Sequence, residues 1–287
     1  MWKKVLKKHF IGLLGVHNNQ DFLAASQCQF TWRQTPTLVY FACQPQTAAH
    51  TLFTELPPHP IVTALPDTES TTKIFTLKTC SHKVIRETIL THLHRLTIQN
   101  NSQVHFDYQI KKSSNTLSII TVEKQKLLSH LTPFKKTKNT LYALELESHA
   151  LKRFFNFFYP DLKEKTVCLF EITRTTFRWF VFSGGALIFL STQPIAQTPI
   201  DIGASLQKLH HHYHTHYPHL PIQKILLIGE LSLLTKTQIS IENNLQITTE
   251  LINPIQQLAI SPTSDKEHLM SCYTQLAFSI GLSLRRP

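Results

Sequence analysis

A run of histidines is the most conspicuous set of residues in this sequence that could do chemistry. Six of the 17 histidines fall between His210 and His219. If the segment is helical, His210 with His214 and His212 with His216 share one face at a spacing that can chelate a transition metal. Protein metal sites usually add a thiol or carboxylate, and none is near in sequence. The alternative is a solvated helix end whose protonated imidazoles favour the helix dipole. We predict adventitious metal affinity at most, and no physiological metal site.

Nucleophilic chemistry has little support in the sequence. No GxSxG motif is present, so no hydrolase nucleophile elbow is predicted. The five cysteines are scattered and form no CxxC pair, which argues against a zinc ribbon or a disulfide framework. Their mostly apolar flanks are typical of buried structural thiols in a reducing compartment. These cysteines are Cys28, Cys43, Cys80, Cys168 and Cys272.

Composition and charge predict a folded globular protein with a basic surface. The 287 residues are 42% hydrophobic and 16% charged, enough for one large domain or two modest ones. The net charge is +11, from 29 Lys and Arg against 18 Asp and Glu. Such a surface favours acidic partners, although it also serves solubility. No stretch interleaves basic and aromatic residues as a nucleic-acid groove does, so we consider nucleic acid an improbable partner.

The beginning of the chain predicts a cytoplasmic protein. Lys3, Lys4, Lys7 and Lys8 precede an apolar run of only seven residues, 10–16, and no small-residue cleavage site follows. No later stretch approaches the ~20 apolar residues of a membrane span. We therefore expect a cytoplasmic protein, whose lysines would rest against anionic headgroups if a partner brought it to a membrane.

Hydrophobic periodicity predicts a mixed α/β architecture of two αβ units, each opening with a β meander, and a small αβ insertion in the first. Strands are predicted over residues 10–15, 21–29, 36–43, 60–65, 73–77, 104–111, 116–122, 140–145, 166–171, 176–182, 186–193 and 222–229. Helices are predicted over residues 46–55, 83–96, 123–131, 147–158, 200–217 and 264–284.

Five local motifs resemble those of the type IV pilus assembly protein PilM family, and they occur in the family's order along nearly the whole chain. They are residues 61–67 (IVTALPD) with 73–75 (KIF), residues 106–109 (FDYQ), residues 146–153 (LESHALKR), the meander 167–171 and 185–193, and residues 276–285 (LAFSIGLSLR). In the third motif Ser148 is predicted to cap its helix. The chain is identified as a diverged member of this actin-like, FtsA-related family, or its counterpart in DNA uptake (competence).

The resemblance implies the actin-like (ribonuclease-H-like) fold, with two lobes and a small αβ subdomain inserted in the first. The first lobe would comprise residues 1–59 and 132–163, with the C-terminal helix 264–287 packing back on it. The inserted subdomain would comprise residues 60–131. The second lobe would comprise residues 164–263.

The resemblance also implies a partner. PilM-like proteins bind the N-terminal cytoplasmic tail of the inner-membrane protein PilN, in a groove between the core and the inserted subdomain, and connect the pilus alignment complex to cytoplasmic motors. Addition of the tail to a strand edge is a suitable binding mode. The predicted contacts in this chain are Ile61, Thr63, Leu65, Phe106 and Tyr108.

The nucleotide loops that the resemblance implies are poorly preserved. Such loops need glycine, because a side chain keeps backbone N–H groups away from phosphate. Only seven glycines occur in 287 residues, where about 20 would be average. The family's two phosphate loops carry Asp-x-Gly, and its adenosine loop has several glycines. The remnants here are Gly12 and Gly15 without an acid, Glu171 with Thr173 in place of glycine, and the single Gly229 followed by Glu230.

Loss of a magnesium ligand or a phosphate loop removes several kcal/mol of transition-state stabilisation. We therefore predict a pseudo-ATPase with no cofactor, or at most weak binding of ATP and Mg²⁺. Asp201-Ile202-Gly203 also matches Asp-x-Gly. It lies at a predicted helix start, however, and Asp201 is better interpreted as a charge that favours the helix N-terminus.

The leading functional prediction is a non-catalytic scaffold of a type IV pilus or competence pilus machine. One alternative is a working actin-like ATPase of the same machine, in which magnesium-dependent ATP binding is abolished by Glu171→Ala. A second is a basic nucleic-acid-binding protein in DNA uptake, whose affinity falls steeply with salt.

Overall fold

The computed structural model describes residues 10–30, 35–100, 103–195 and 202–285. The predicted N-terminal lysines and Asp201 lie outside these residues. The chain divides into two compact units, one of Met1–Ala64 with Asn139–Pro287 and one of Leu65–Lys138. The second unit begins and ends slightly later along the chain than the predicted insertion, 60–131.

The elements follow one another along the chain in three segments. The first has β1 (Phe10–Asn18), β2 (Phe22–Phe30), β3 (Thr37–Pro45), α1 (Ala49–Glu55) and β4 (Ile61–Leu65). The second has β5 (Ser70–Thr76), α2 (His82–Asn100), β6 (Val104–Lys111), β7 (Thr116–Glu123) and α3 (Lys124–Leu131). The third has β8 (Leu141–Leu146), α4 (Glu147–Phe158), β9 (Val167–Ile172), β10 (Thr176–Ser183), β11 (Ala186–Pro194), α5 (Ile202–His216), β12 (Lys224–Gly229), α6 (Leu231–Leu245), β13 (Thr249–Leu251), β14 (Ala259–Ile260), α7 (Lys266–Cys272) and α8 (Ala277–Ser283).

The first sheet of the first unit has six strands in the order β14-β3-β2-β1-β4-β8. β1, β2 and β3 form the predicted antiparallel meander, and β4 pairs parallel with β1. Helix α8 packs closely on β1 because Gly15 has no side chain. A Cβ there would lie 2.0 Å from the carbonyl oxygen of Ser279. This contact ties the end of the chain to the opening strand.

The second sheet has five strands in the order β11-β10-β9-β12-β13. β9, β10 and β11 are antiparallel, and β12 runs parallel to β9. The β10–β11 hairpin turns through Gly184 and Gly185, whose φ angles of +58° and +69° suit a type I′ turn. Strands β9 and β12 are buried throughout except at Lys224, as is typical of strands covered on both faces.

Three details of the sequence-based expectation are corrected. The predicted helix 264–284 is two helices, α7 and α8, separated by a 3₁₀ turn at Tyr273–Gln275. That turn places Thr274, whose Oγ1 donates to the carbonyl of Gly229 at 2.7 Å. Helix α6 was not predicted. Ser148 does not cap α4, because it lies inside the helix and Leu146 occupies the N-cap position.

The second unit is a three-stranded antiparallel sheet, in the order β5-β7-β6, with α2 on one face. Its small core joins Ile85 and Ile89 of α2 to Leu117 and Ile119 of β7. β5 and β6 are the two edge strands of this sheet.

Within the described residues, no helix is long and apolar enough to cross a membrane.

Candidate functional site

The turns that join β1 to β2 and β9 to β10 lie side by side in the first unit. In each turn, one side chain accepts hydrogen bonds from backbone N–H groups of the same turn. Asn19 Oδ1 accepts from the backbone N–H groups of Asp21 and Phe22 at 2.9 and 2.8 Å. Thr173 Oγ1 accepts from those of Thr175 and Thr176 at 3.3 and 2.9 Å. Four backbone N–H groups of the two turns are therefore used within the protein.

The two turns also bond directly to each other. Asp21 Oδ2 accepts from the backbone N–H of Arg174 at 2.6 Å. Thr175 Oγ1 donates to Gln20 Oε1 at 3.4 Å. Beside them, the Arg174 guanidinium pairs with Glu230, with 2.9 Å from Nη2 to Oε2. These contacts connect the two turns directly through side chains and backbone.

A cavity of about 240 Å³ opens next to this contact. Its lining includes Asp21, Thr173, Arg174 and Glu230 from the loops and Cys272 from α7. Hydrogen bonds from Ser232 and Arg174 lower the pKa of Glu230. The carboxylate adds negative charge to the wall, which disfavours an anionic ligand there.

Beneath the turns lies a network of four buried side chains. His17 is the last residue but one of β1, Glu147 begins α4, Glu171 lies in β9 and Arg178 in β10. His17 Nε2 is 2.7 Å from Glu147 Oε1. The Arg178 guanidinium donates through Nη1 to Glu147 and through Nε to Glu171. The first three side chains are fully buried and Arg178 is 9% exposed.

Strand register brings some of these four side chains together, and helix α8 packs over them. Glu171 and Arg178 are directly opposite in the β9–β10 ladder and therefore share one face of the sheet. The ring of Phe278 in α8 stacks on His17 at 4.4 Å between centroids, and the Arg178 guanidinium lies 5.3 Å from the same ring centroid. A cation over an aromatic face adds further attraction.

The network favours the ionised forms of Glu147 and Arg178. Burial acts to raise the pKa of Glu147, but Arg178 and the hydrogen bond with His17 outweigh it and hold the pKa at about 2. Burial opposes the charge on Arg178, but Glu147 and Glu171 outweigh it and raise the pKa of the guanidinium. A buried, paired charge of this kind is costly to leave without its partner.

The structure brings only some of the predicted nucleotide-loop residues to this place. Thr173 lines the cavity and Glu171 belongs to the network. Gly229 ends β12, where a Cβ would lie 2.2 Å from the carbonyl oxygen of Ile172. The assignment of Gly12 and Gly15 to a phosphate loop is corrected. Both lie within β1, ahead of the turn, and their missing side chains make room for β2 and α8.

Sequence reasoning missed His17, Glu147 and Arg178 as members of one site. His17 is 130 residues from Glu147 in the chain, and Arg178 is 31 residues from it. No local spacing connects residues so far apart. The sequence carried no local signal that would have brought these three residues together.

The predicted peptide contacts divide into two groups. Ile61, Thr63 and Leu65 are at most 3% exposed, and their strand β4 is paired on both edges, by β1 and β8. These three side chains are therefore removed from the predicted contact surface. Phe106 and Tyr108 are 45% and 47% exposed on the edge strand β6.

Five of the six histidines of the run lie on α5, as the pattern predicts, and His219 follows the helix. The ring centroids of His210 and His214 are 6.4 Å apart, and those of His212 and His216 are 4.5 Å apart. His216 Nδ1 is 2.9 Å from the carbonyl oxygen of His212. Among the residues that the structure describes, no group of three or more His, Cys, Asp or Glu is placed to hold a metal ion.

Comparison with known proteins supports the resemblance drawn from the motifs. The sequence model of a family described as type IV pilus assembly protein PilM matches residues 196–287. The structure of a PilM-PilN type IV pilus biogenesis complex matches with a TM-score of 0.74 at 14% identity, over 96% of this chain and 99% of that chain. No curated protein matches the chain in sequence.

Two further structures are similar at TM-scores of 0.48. A Bacteroides thetaiotaomicron protein with an actin-like ATPase fold and unknown function is 12% identical, over 93% of this chain and 96% of that one. The other is the cytoplasmic domain of EpsL, an inner-membrane component of the type II secretion system of Vibrio cholerae. It is 11% identical, over 90% of this chain and 92% of that one. The predicted α/β fold is confirmed by the likeness to the PilM-PilN structure. The match of the family model over residues 196–287 agrees with the PilM-like motifs.

Proposed function

We propose that this protein is a non-catalytic cytoplasmic scaffold of a type IV pilus or competence pilus machine that binds the N-terminal tail of a PilN-like inner-membrane protein. The proposal is carried by the match over 96% of the chain to a PilM structure that is itself part of a complex with PilN. The family match at residues 196–287 supports the same assignment.

The second unit offers a suitable surface for the tail. Phe106 and Tyr108 stand opposite Thr121 and Ile119 in the β6–β7 ladder, so they share the face of the sheet that holds the core, yet they remain half-exposed. β6 is also an edge strand, whose unpaired backbone groups can accept an extended peptide. Exposed aromatic side chains beside a strand edge provide both affinity and register.

The absence of catalysis is supported by the state of the two turns and the network beneath them. A phosphate-binding loop needs free backbone N–H groups, and here Asn19, Asp21 and Thr173 accept from them. Magnesium is usually bound through carboxylate oxygens and water. The guanidinium of Arg178 already pairs with both buried carboxylates. The residues present therefore fit Mg-ATP poorly.

One observation favours a working ATPase as the second candidate. Glu171 Oε1 is buried and has no hydrogen-bond partner among the described residues. A movement that opened the two turns would leave this oxygen available for an ion or a water. The candidate requires Arg178 to leave its partners, which is costly in a buried site.

The scaffold proposal is tested by titrating the full chain with a labelled peptide that copies the N-terminal tail of the PilN-like protein encoded beside it. We expect saturable binding in nucleotide-free buffer. Phe106→Asp and Tyr108→Asp should each weaken it at least about tenfold, because truncated aromatic anchors commonly cost 1–2 kcal/mol or more. Ile239→Asp, at an exposed apolar residue of α6 in the first unit, is the control.

Three outcomes would count against parts of the proposal. Binding that appears only with Mg-ATP would favour the ATPase candidate. Tail binding that is unaffected by the two aromatic substitutions would exclude the β6 surface. No binding in either buffer would remove the support for the scaffold role.

A further inference from the structure

The second unit contains a cavity of about 270 Å³ between β5 and α2. Two of its lining residues come from β5 and the others from one side of α2. Lys73 and Phe75 stand opposite Ile119 and Leu117 in the β5–β7 ladder, so they point to the face that α2 covers. The lining residues are Lys73, Phe75, Glu87, Thr88, Thr91, His92 and Arg95.

Two of these side chains, Lys73 and His92, lie against the aromatic ring of Phe75. Lys73 Nζ lies 5.7 Å from the centroid of the Phe75 ring. His92 meets the same ring edge-to-face, with 5.3 Å between centroids. His92 is only 7% exposed, and its Nε2 has no hydrogen-bond partner among the described residues. A buried polar atom without a protein partner is uncommon, and a water or a ligand in the cavity can satisfy it.

The charges around the cavity are not balanced. Within the described residues, neither Lys73 nor Arg95 forms an ion pair with a carboxylate. Burial, and after it the positive charges of Lys73 and Arg95, lower the pKa of His92. Glu87 is the one acid among the lining residues, and it forms no ion pair within the described residues either. Like charges that converge on a cavity repel one another, and an anion relieves this repulsion.

The second unit as a whole is also positively charged. Residues 65–138 contain twelve Lys and Arg against five Asp and Glu, a net +7 out of +11 for the entire chain. Such a field raises the local concentration of anions and speeds their association.

We propose that the cavity between β5 and α2 binds an oxyanion group, a carboxylate or a phosphate, with Lys73 and Arg95 as the charged contacts and His92 as a third donor. Lys73 and Arg95 supply charge-assisted hydrogen bonds, and Phe75 holds the lysine in place. The inference is independent of the scaffold role, because it does not require the aromatic surface of β6.

The test uses calorimetric titration of the full chain at constant ionic strength with two probes, inorganic phosphate and a hexaglutamate peptide. Lys73→Gln and Arg95→Gln should each weaken binding about tenfold or more, as loss of a charge-assisted contact does. Glu87→Gln should strengthen binding, because it removes the acid at the cavity. Lys83→Gln, an exposed lysine of the same helix outside the cavity, is the matched control.

The two probes also distinguish the source of the anion. Binding of phosphate alone would indicate a small phosphorylated ligand, and binding of the peptide alone would indicate an acidic protein segment. Either result supports the inference if Lys73→Gln and Arg95→Gln weaken the binding of that probe. The inference is overturned if neither probe binds at millimolar concentration, or if those variants bind as Lys83→Gln does.

Discussion

Arg178 is the positive charge that pairs with two buried carboxylates in the first unit. Its guanidinium neutralises two carboxylates that have no access to water. Removing one member of a buried ionic group costs about 3–5 kcal/mol, since the others are left unpaired. Arg174, by contrast, is an exposed side chain whose pairing with Glu230 is screened by solvent.

Arg178→Ala should therefore lower the free energy of unfolding by about 3–5 kcal/mol. Arg174→Ala should change it little. Urea denaturation of both variants and the wild type measures the difference. A combined variant, Arg178→Leu with Glu147→Gln and Glu171→Gln, removes all three charges and should recover part of the loss. If Arg178→Ala alone is as stable as the wild type, the network does not support the fold.

The depressed pKa of Glu147 predicts how stability depends on pH. A carboxyl group whose pKa is about 2 in the folded protein, against an ordinary 4.5, stabilises the fold above pH 4.5. The stabilisation is lost as the pH falls from 4.5 towards 2, because protons then bind the unfolded chain first. Its size is on the order of 3 kcal/mol.

Glu147→Gln should consequently flatten the fall in unfolding free energy between pH 5 and pH 3. Denaturant unfolding at several pH values measures the slope. Glu250→Gln, at an exposed glutamate, should retain the slope of the wild type. An unchanged slope in Glu147→Gln would mean that other carboxyl groups cause the acid sensitivity.

At the scale of elements, the packing of α8 on β1 depends on a glycine. A Cβ at Gly15 would lie 2.0 Å from Ser279 O and 2.7 Å from Ser283 N, both backbone atoms that cannot rotate away. Gly184 in the β10–β11 turn is different, since nothing lies within 4 Å of its Cβ position. Only its φ of +58° disfavours a side chain.

Gly15→Ala should lower the free energy of unfolding by about 3 kcal/mol or more, because α8 must move off the sheet. Gly184→Ala should cost about 1 kcal/mol, the usual penalty for a left-handed conformation. The midpoints of urea unfolding compare the two variants. Equal effects would show that α8 adapts to the added methyl group without loss of packing.

At the scale of the whole molecule, the closed turns predict a weak response to nucleotide. A ligand that binds the folded state raises its stability by RT ln(1 + [L]/Kd). Because five backbone N–H groups of the two turns already have acceptors within the protein, millimolar Mg-ATP should leave the melting temperature of the full chain unchanged. A rise of several degrees, abolished in Glu171→Ala, would instead support the ATPase candidate. Mg²⁺ alone is the control.

The local sequence determined most of the elements of this protein. Runs rich in β-branched and aromatic residues located the β1–β3 and β9–β11 meanders, and Ser183-Gly184-Gly185 located the turn of the second. The PilM-like motifs predicted the actin-like fold, because they occur in a fixed order along the chain. Signals of this kind depend on residues that are near one another in sequence.

Only the tertiary structure decided which residues form the site. His17, Glu147 and Arg178 meet because β1, α4 and β10 converge, although 130 residues separate the first two. The burial of Ile61 and Thr63 follows from the two strands that flank β4. The break between α7 and α8 has no proline or glycine to announce it. The break allows Thr274 to contact the end of β12. Contacts distant in sequence depend on how the elements pack, and a local pattern carries no record of that packing.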